Sequence, residues 1–230
     1  MSRRWRSTST LAALFCLAFG ACSTVEPYDY SLYLEHPPRS ILVLPPLDET
    51  PEVDACYGWL STITVPLGEY GYYVFPVGLV DRILRENGLP TPGEMHQVSL
   101  SKLNEIFGAD AVLYVTVHQW GTSYIVINSV TNVEVHARLV DSKTGAVLWE
   151  GIGKVSKGSD TQGGLAGMIS SALVEQVMRS VVDPTRNVAR QANAQLLSRP
   201  KRSLPLGPYH KGHDKSLADA QKSVSASAGN

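Results

Sequence analysis

The 230-residue sequence is poor in the residues that most often announce a chemistry. It holds three cysteines, too few for a disulfide framework or a four-cysteine zinc site. Its 20 basic and 21 acidic residues leave a formal net charge of -1, so no strong cationic field is available to hold phosphates and no nucleic-acid partner is expected. No Gly-x-Ser-x-Gly elbow occurs, and no glycine-rich loop ending in Gly-Lys-Ser/Thr. Gly151-Ile152-Gly153 lies inside a strand pattern and lacks the third glycine of a dinucleotide fingerprint. No apolar run reaches the roughly 20 residues that span a bilayer. Apolar residues as a class are plentiful, at 43%, which suffices for a sizeable core and excludes wholesale disorder. The length fits one ordinary domain with tails.

The address is written at the N-terminus. Arg3, Arg4 and Arg6 precede an uncharged run from Leu11 to Ala21, the layout of a secretory signal. The run ends Leu17-Ala18-Phe19-Gly20-Ala21-Cys22-Ser23, which resembles a bacterial lipobox. Residues 1–21 then form a lipoprotein signal peptide, and Cys22 becomes the lipidated N-terminus. A diacylglycerol with an added amide-linked chain anchors firmly, since each buried CH₂ contributes about 0.8 kcal/mol and one chain alone is marginal. Ser23 stands where an Asp would favour inner-membrane retention, so the expected site is the outer membrane, with the domain in the periplasm. Cys56 is then the remaining free thiol. It falls on a helical stripe with Leu60, Ile63 and Leu67, which points to a small buried hydrophobe rather than a nucleophile.

Residues 22–39 read as a lipidated end and tether, with Tyr28, Tyr30 and Tyr33 suggesting that its far end docks. Seventeen extended residues from Ser23 to Arg39 would reach roughly 55 Å. Residues 40–198 read as a single α/β domain. Its pattern begins with a short apolar strand at 41–46, buried on both faces. A helix over 52–70 follows, kinked or divided at Pro66 and stopped at Gly71. A strand at 72–75, a helix over 77–87, a loop around Pro90 and Pro92, and a helix from the Ser99 cap to Phe107 come next. From Ala111 the period changes to that of strands. A turn is expected at Gly121-Thr122-Ser123. Val133, Val135, Ala137 and Leu139 alternate with Asn132, Glu134, His136 and Arg138, one face dry and one wet. A hairpin at Asp141–Gly145 leads to a strand over 146–155. Leu165–Val182 and the stretch from Pro184 to about Ser198 read as helices. From Arg199 onward, six basic and two acidic residues make a tail of +4, read as disordered; the body, residues 22–198, has 11 basic against 19 acidic residues. The expected sheet is single, mixed and mostly antiparallel, with helices packed mainly on one face.

Several phrases carry a family resemblance: Pro38-Arg39-Ser40-Ile41-Leu42-Val43-Leu44-Pro45-Pro46, Gly71-Tyr72-Tyr73-Val74-Phe75-Pro76, Phe107-Gly108-Ala109-Asp110-Ala111, Leu148-Trp149-Glu150-Gly151 and Gln162-Gly163-Gly164-Leu165. From about Tyr28 to Leu197 the chain resembles a family of proteobacterial lipoproteins classed as a domain of unknown function. The resemblance implies a relation to the N-terminal domain of TolB and the periplasmic domain of the curli lipoprotein CsgG. It also implies a place beside a CsgG-like lipoprotein and a second small lipoprotein. It assigns no catalytic residue and no cofactor.

Two functional readings follow. One is a non-catalytic envelope lipoprotein, an accessory or assembly component of a secretion or transport complex. For it, Gly163 and Gly164 permit close backbone approach, and Val174 and Met178 carry the apolar surface of 165–182 beyond one stripe, either as a core helix buried on most sides or as a face for a neighbouring lipoprotein or a second copy. The other is a periplasmic envelope-polymer hydrolase or metal-dependent enzyme using His118, Glu134 and His136, which adjacent strands could bring together. A polar sheet face is the favoured explanation of those three residues. His210 and His213 have ligand-like spacing in the tail.

Overall fold

The structure is a computed structural model that describes residues 27–125, 128–158 and 184–227. In chain order the elements are α1 (Ser31–Glu35), β1 (Ser40–Val43), β2 (Leu47–Asp48), α2 (Ala55–Glu69), β3 (Tyr73–Val74), α3 (Val77–Glu86), α4 (Pro92–Met95), α5 (Leu100–Phe107), β4 (Ala111–Ile125), β5 (Asn128–Asp141), β6 (Val147–Gly158), α6 (Pro184–Ser198) and α7 (His213–Ser227). One mixed sheet runs β3-β1-β4-β5-β6, with the short β2 beside the far half of β4. β1 is parallel to β3 and β4, and β2 is parallel to β4. β4, β5 and β6 form a long antiparallel meander that supplies most of the paired length.

The apolar run of β1 is explained by burial on both sides. Ile41 and Val43 face a core with Trp59, Ile63 and Leu67 of α2, while Leu42 and Leu44 face a second core with Val80, Leu84, Met95 and Leu103. Helices therefore cover both faces at the β3-β1-β4 side, not mainly one as the sequence suggests. The expected alternation holds on β5. Val133, Val135, Ala137 and Leu139 are buried in the first core, beside Val188, Ala192 and Leu196 of α6. On the other side Glu134, His136 and Arg138 remain uncovered by any described helix.

Local chemistry sets most boundaries. Gly71 and Gly108 take φ of +82° and +66° just past α2 and α5, as left-handed helix stops. Ser99 Oγ accepts from the Lys102 N–H at the start of α5. The Pro90–Pro92 stretch is not all loop: Thr91 and Glu94 make a reciprocal capping box that starts the one-turn α4. Pro66 does not divide α2, which runs unbroken to Glu69. The proline sits in the last turn, where it removes one hydrogen bond from a helix about to end. Nor does the chain turn at Gly121. A bulge between Val117 and Gln119 is followed by Gly121 at φ +113°, and β4 continues to Ile125, which pairs with Asn128. Glycine accepts that positive φ without a Cβ penalty, so the strand bends and continues rather than ending.

The largest difference from expectation is at the ends. Residues 199–227 are ordered rather than a disordered tail, whereas Tyr28, Tyr30 and Tyr33 dock the far end of the tether as expected. Tyr33 is fully buried, and its hydroxyl donates to that of Tyr72 at 2.7 Å; Tyr72 in turn donates to the Pro205 carbonyl at 2.5 Å. Tyr30 donates to the Ser203 carbonyl at 2.7 Å. The Gly207 N–H bonds the Tyr70 carbonyl at 2.7 Å, and the Tyr209 N–H bonds that of Gly71 at 3.1 Å. A Cβ at Gly207 would lie 2.4 Å from the Gly71 oxygen, so the clasp requires glycine there. Leu204 and Ala220 join the first core, with Leu217 and Val224 packed against it. A handful of well-placed apolar residues thus orders a segment whose average composition is that of a disordered chain.

The exposed edge of β6 is closed by the same arrangement. Tyr28 Oη accepts from the Glu150 N–H at 3.1 Å, and Gln195 Oε1 from the Lys154 N–H at 2.8 Å. Side chains thereby occupy an edge that would otherwise invite another strand.

Candidate functional site

β4 and β5 bring the three sequence-nominated residues together on the uncovered face. The rings of His118 and His136 lie 4.1 Å apart between centroids, at 60°. His136 Nε2 is 3.2 Å from Glu134 Oε1, and His118 Nδ1 is 2.7 Å from Glu49 Oε2, just beyond β2. Glu134 also faces Lys154 across the β5–β6 register, with Nζ 2.6 Å from Oε2. That lysine bond is the main reason the Glu134 carboxyl sits below the usual carboxylate range, against a smaller opposing effect of burial. Glu49 and Lys154 were not singled out from sequence; the in-register Glu134–Lys154 pairing is the signal that names the latter.

The arrangement is a chain of polar and ring contacts, Glu49–His118–His136–Glu134–Lys154, laid across an open sheet. Lys154 occupies the second oxygen of Glu134, where a cation would have to bind. Among the described residues no group of three or more His, Cys, Asp or Glu is placed to hold a metal ion. The cluster holds no hydroxyl or thiol nucleophile.

Further along the same face an open groove of about 670 Å³ lies between α4, α5 and the sheet, lined by Leu47, His96, Leu100, Tyr114, His136 and Arg138. The Arg138 guanidinium stands 5.8 Å over the Tyr114 ring. His96 Nε2 is 2.9 Å from the Pro45 carbonyl oxygen, and burial pushes the imidazole pKa down. Of these, only Arg138 and His136 were visible as wet-face positions in the sequence.

The other candidates resolve simply. Cys56 is buried on the inner stripe of α2, and burial pushes its thiol up to about 12, which leaves it inert as a nucleophile. His210 and His213 are spent on turns: His210 Nδ1 accepts from the Gly212 N–H at 2.9 Å, and His213 Nδ1 is 2.7 Å from the Leu206 carbonyl oxygen. Cys22, Gly163, Gly164, Val174 and Met178 lie outside the described residues.

Residues 28–209 match the family described as "Putative lipoprotein GNA1162-like". The chain belongs to the GNA1162-like lipoprotein family. A relative from Neisseria meningitidis serogroup B, "Putative lipoprotein NMB1124/NMB1162", is 43% identical over 189 residues, covering 82% of this chain and 88% of its own. The crystal structure of lipoprotein GNA1162 from Neisseria meningitidis is similar with a TM-score of 0.51 and 47% identity, over 62% of this chain and 99% of that one. A PelC dodecamer from Paraburkholderia phytofirmans is 20% identical with a TM-score of 0.44, over 72% of this chain and 89% of that one. Membership in a GNA1162-like lipoprotein family makes the chain a membrane-anchored component of the cell envelope. No helix among the described residues is long and apolar enough to cross a membrane.

Proposed function

We propose that the mature chain is a non-catalytic lipoprotein of the outer membrane, facing the periplasm. In this reading it is an accessory or assembly component of a secretion or transport complex, beside a CsgG-like lipoprotein and a second small lipoprotein. Kinship with the TolB N-terminal and CsgG periplasmic domains belongs to the same reading. The observation that carries it is the satisfied, open character of the nominated cluster. His118, His136 and Glu134 meet, but on a bare sheet face, with Glu49 and Lys154 already paired to them. Such a surface offers charge and shape to a partner rather than an enclosed place for turnover.

Lipidation is assigned to Cys22. Because Tyr28 and Tyr30 are docked, only Ser23–Pro27 remain as tether, which reaches at most roughly 20 Å. The domain then works close to its membrane. Contact with the neighbouring lipoprotein or a second copy is assigned to the apolar stretch that holds Gly163, Gly164, Val174 and Met178. Crosslinking on intact cells followed by affinity purification tests the reading. A CsgG-like lipoprotein is expected with the wild type and depleted with the Val174→Glu, Met178→Glu double variant. Failure to recover either small lipoprotein would refute the assembly role.

The ring contact between His118 and His136 gives a hydrolase its one supporting observation. Cleavage of envelope polymers by the purified chain, abolished by His136→Ala, would establish that reading instead.

A further inference from the structure

The C-terminal segment contradicts the charge of the rest of the molecule. Residues 22–198 carry 11 basic and 19 acidic side chains, whereas residues 199–230 carry six basic and two acidic. Arg199, Lys201, Arg202, Lys211, Lys215 and Lys222 are all exposed. The segment is also held at the point where the chain emerges from the anchor. The Arg202 guanidinium stands 4.9 Å over the Tyr28 ring, Ser223 Oγ donates to the Tyr28 carbonyl at 2.7 Å, and Tyr30 bonds the Ser203 carbonyl. On α7, Leu217, Ala220 and Val224 face the core, so Lys215 and Lys222, seven residues apart, share the outward side. Between α7 and the 199–203 loop runs a groove of about 510 Å³, with Lys201, Lys215, Ser203, Ser216, Tyr30 and one carboxylate, Asp219, in its walls; Asp219 is paired with Lys222 at 3.2 Å.

We propose that this docked C-terminal segment is a membrane-facing cationic surface that lies on anionic lipid headgroups, with the groove between α7 and the 199–203 loop receiving a headgroup phosphate. The proposal rests on the lipid anchor at Cys22. A tether of Ser23–Pro27 holds Tyr28 within roughly 20 Å of the bilayer, so whatever surrounds Tyr28 meets the headgroups first. The charge matches that surface: each basic residue near an anionic membrane strengthens binding, and the effect fades within a Debye length of about 10 Å. The acidic body is repelled by the same field, so the two charges together orient the domain with α7 towards the lipid.

The test uses the full mature chain with Cys22→Ala, which carries no lipid and reads the surface independently of the anchor. Co-sedimentation is measured at low salt with vesicles of phosphatidylethanolamine and phosphatidylglycerol, and with vesicles of phosphatidylcholine. Binding to the anionic vesicles should exceed binding to the zwitterionic ones at least about tenfold and vanish in high salt. The Arg199→Gln, Lys215→Gln double variant should lose binding roughly 25-fold, about fivefold per residue, with an unchanged melting temperature. The control Arg82→Gln, Lys102→Gln removes two exposed charges, paired with Glu86 and Glu105, from α3 and α5 and should change binding less than about twofold. Equal binding to both vesicle types, no binding to either, or equal loss in the two double variants would overturn the proposal. Competition by inorganic phosphate without vesicle binding would show a free-anion site instead. The lipid anchor is judged separately, by the mass of the N-terminal peptide of the wild-type protein.

Discussion

Tyr72→Phe should be among the most damaging conservative substitutions in the molecule, although it removes one oxygen. The Tyr72 hydroxyl joins three distant parts of the chain: it accepts from Tyr33 in α1 and donates to Pro205 in the C-terminal segment, while its ring opens β3. Tyr33 and Pro205 are both buried. Deleting the hydroxyl leaves a buried donor and a buried acceptor without partners, each costing about 1–3 kcal/mol, so the expected total is about 2–6 kcal/mol. Tyr33→Phe is a milder change, because Tyr72 keeps its bond to Pro205; about 0.5–1.5 kcal/mol is expected. The double variant should cost less than the sum, since one orphaned hydroxyl disappears with Tyr33. Urea unfolding at constant m-value measures all three, and for a chain of this size the Tyr72→Phe loss corresponds to a melting decrease of roughly 5–15 °C. Trypsin should also cut earlier at Lys201 and Arg202, which the clasp restrains. If Tyr72→Phe costs no more than Tyr33→Phe, or the two add simply, the three-part hydrogen-bond chain does not hold the ends in place.

Other expectations follow from the same packing. Leu139→Asp puts an unpaired carboxylate into the first core and should cost several kcal/mol, whereas Arg138→Asp, one residue away on the open face, should be mild in thermal melts; equal effects would mean the β5 register is wrong. Gly153→Ala would set a Cβ 2.3 Å from the Ala192 carbonyl oxygen and should destabilise by about 1–3 kcal/mol, while Gly78→Ala meets nothing within 4 Å and should be neutral or slightly stabilising by calorimetry. Burial raises Tyr30 and Tyr33 from the ordinary 10.0 to about 12, so each holds its proton more tightly when folded; their stabilisation is complete below pH 10 and lost as pH rises towards 12. Tyrosinate absorbance should therefore lag in the native protein and appear with unfolding, and a smooth titration near pH 10 for every tyrosine would contradict the docked ends.

How much of this was legible beforehand divides along physical lines. Signals that depend on neighbours in sequence were readable: the doubly buried run at Ile41–Leu44, the alternation of Val133 to Leu139, and the glycine stops at Gly71 and Gly108. Signals that depend on where distant segments meet were not. Leu204 and Ala220 are too sparse to form a pattern, yet both are buried in the same core as Tyr30 and Tyr33. Gly121-Thr122-Ser123 looked like a turn by composition, but Gly121 takes a positive φ within a strand that continues past a nearby bulge. The second helical layer was hidden although α3 and α5 were legible, because no local pattern says which face of the sheet a helix covers. At the candidate site, the meeting of His118 with His136 could be anticipated from adjacent strands, whereas Glu49 and Lys154, which pair with His118 and Glu134, arrive from just beyond β2 and from β6.

The account depends most on the anchor. The measurement that tests it directly is the partition of the Cys22→Ala variant between outer membrane and soluble periplasm in high salt, where headgroup attraction is screened. Release of the folded domain into the soluble fraction, with the wild type retained in the outer membrane, is the predicted result. Sedimentation of the variant with the outer membrane under those conditions would contradict the lipid-anchored reading and every orientation argued from it.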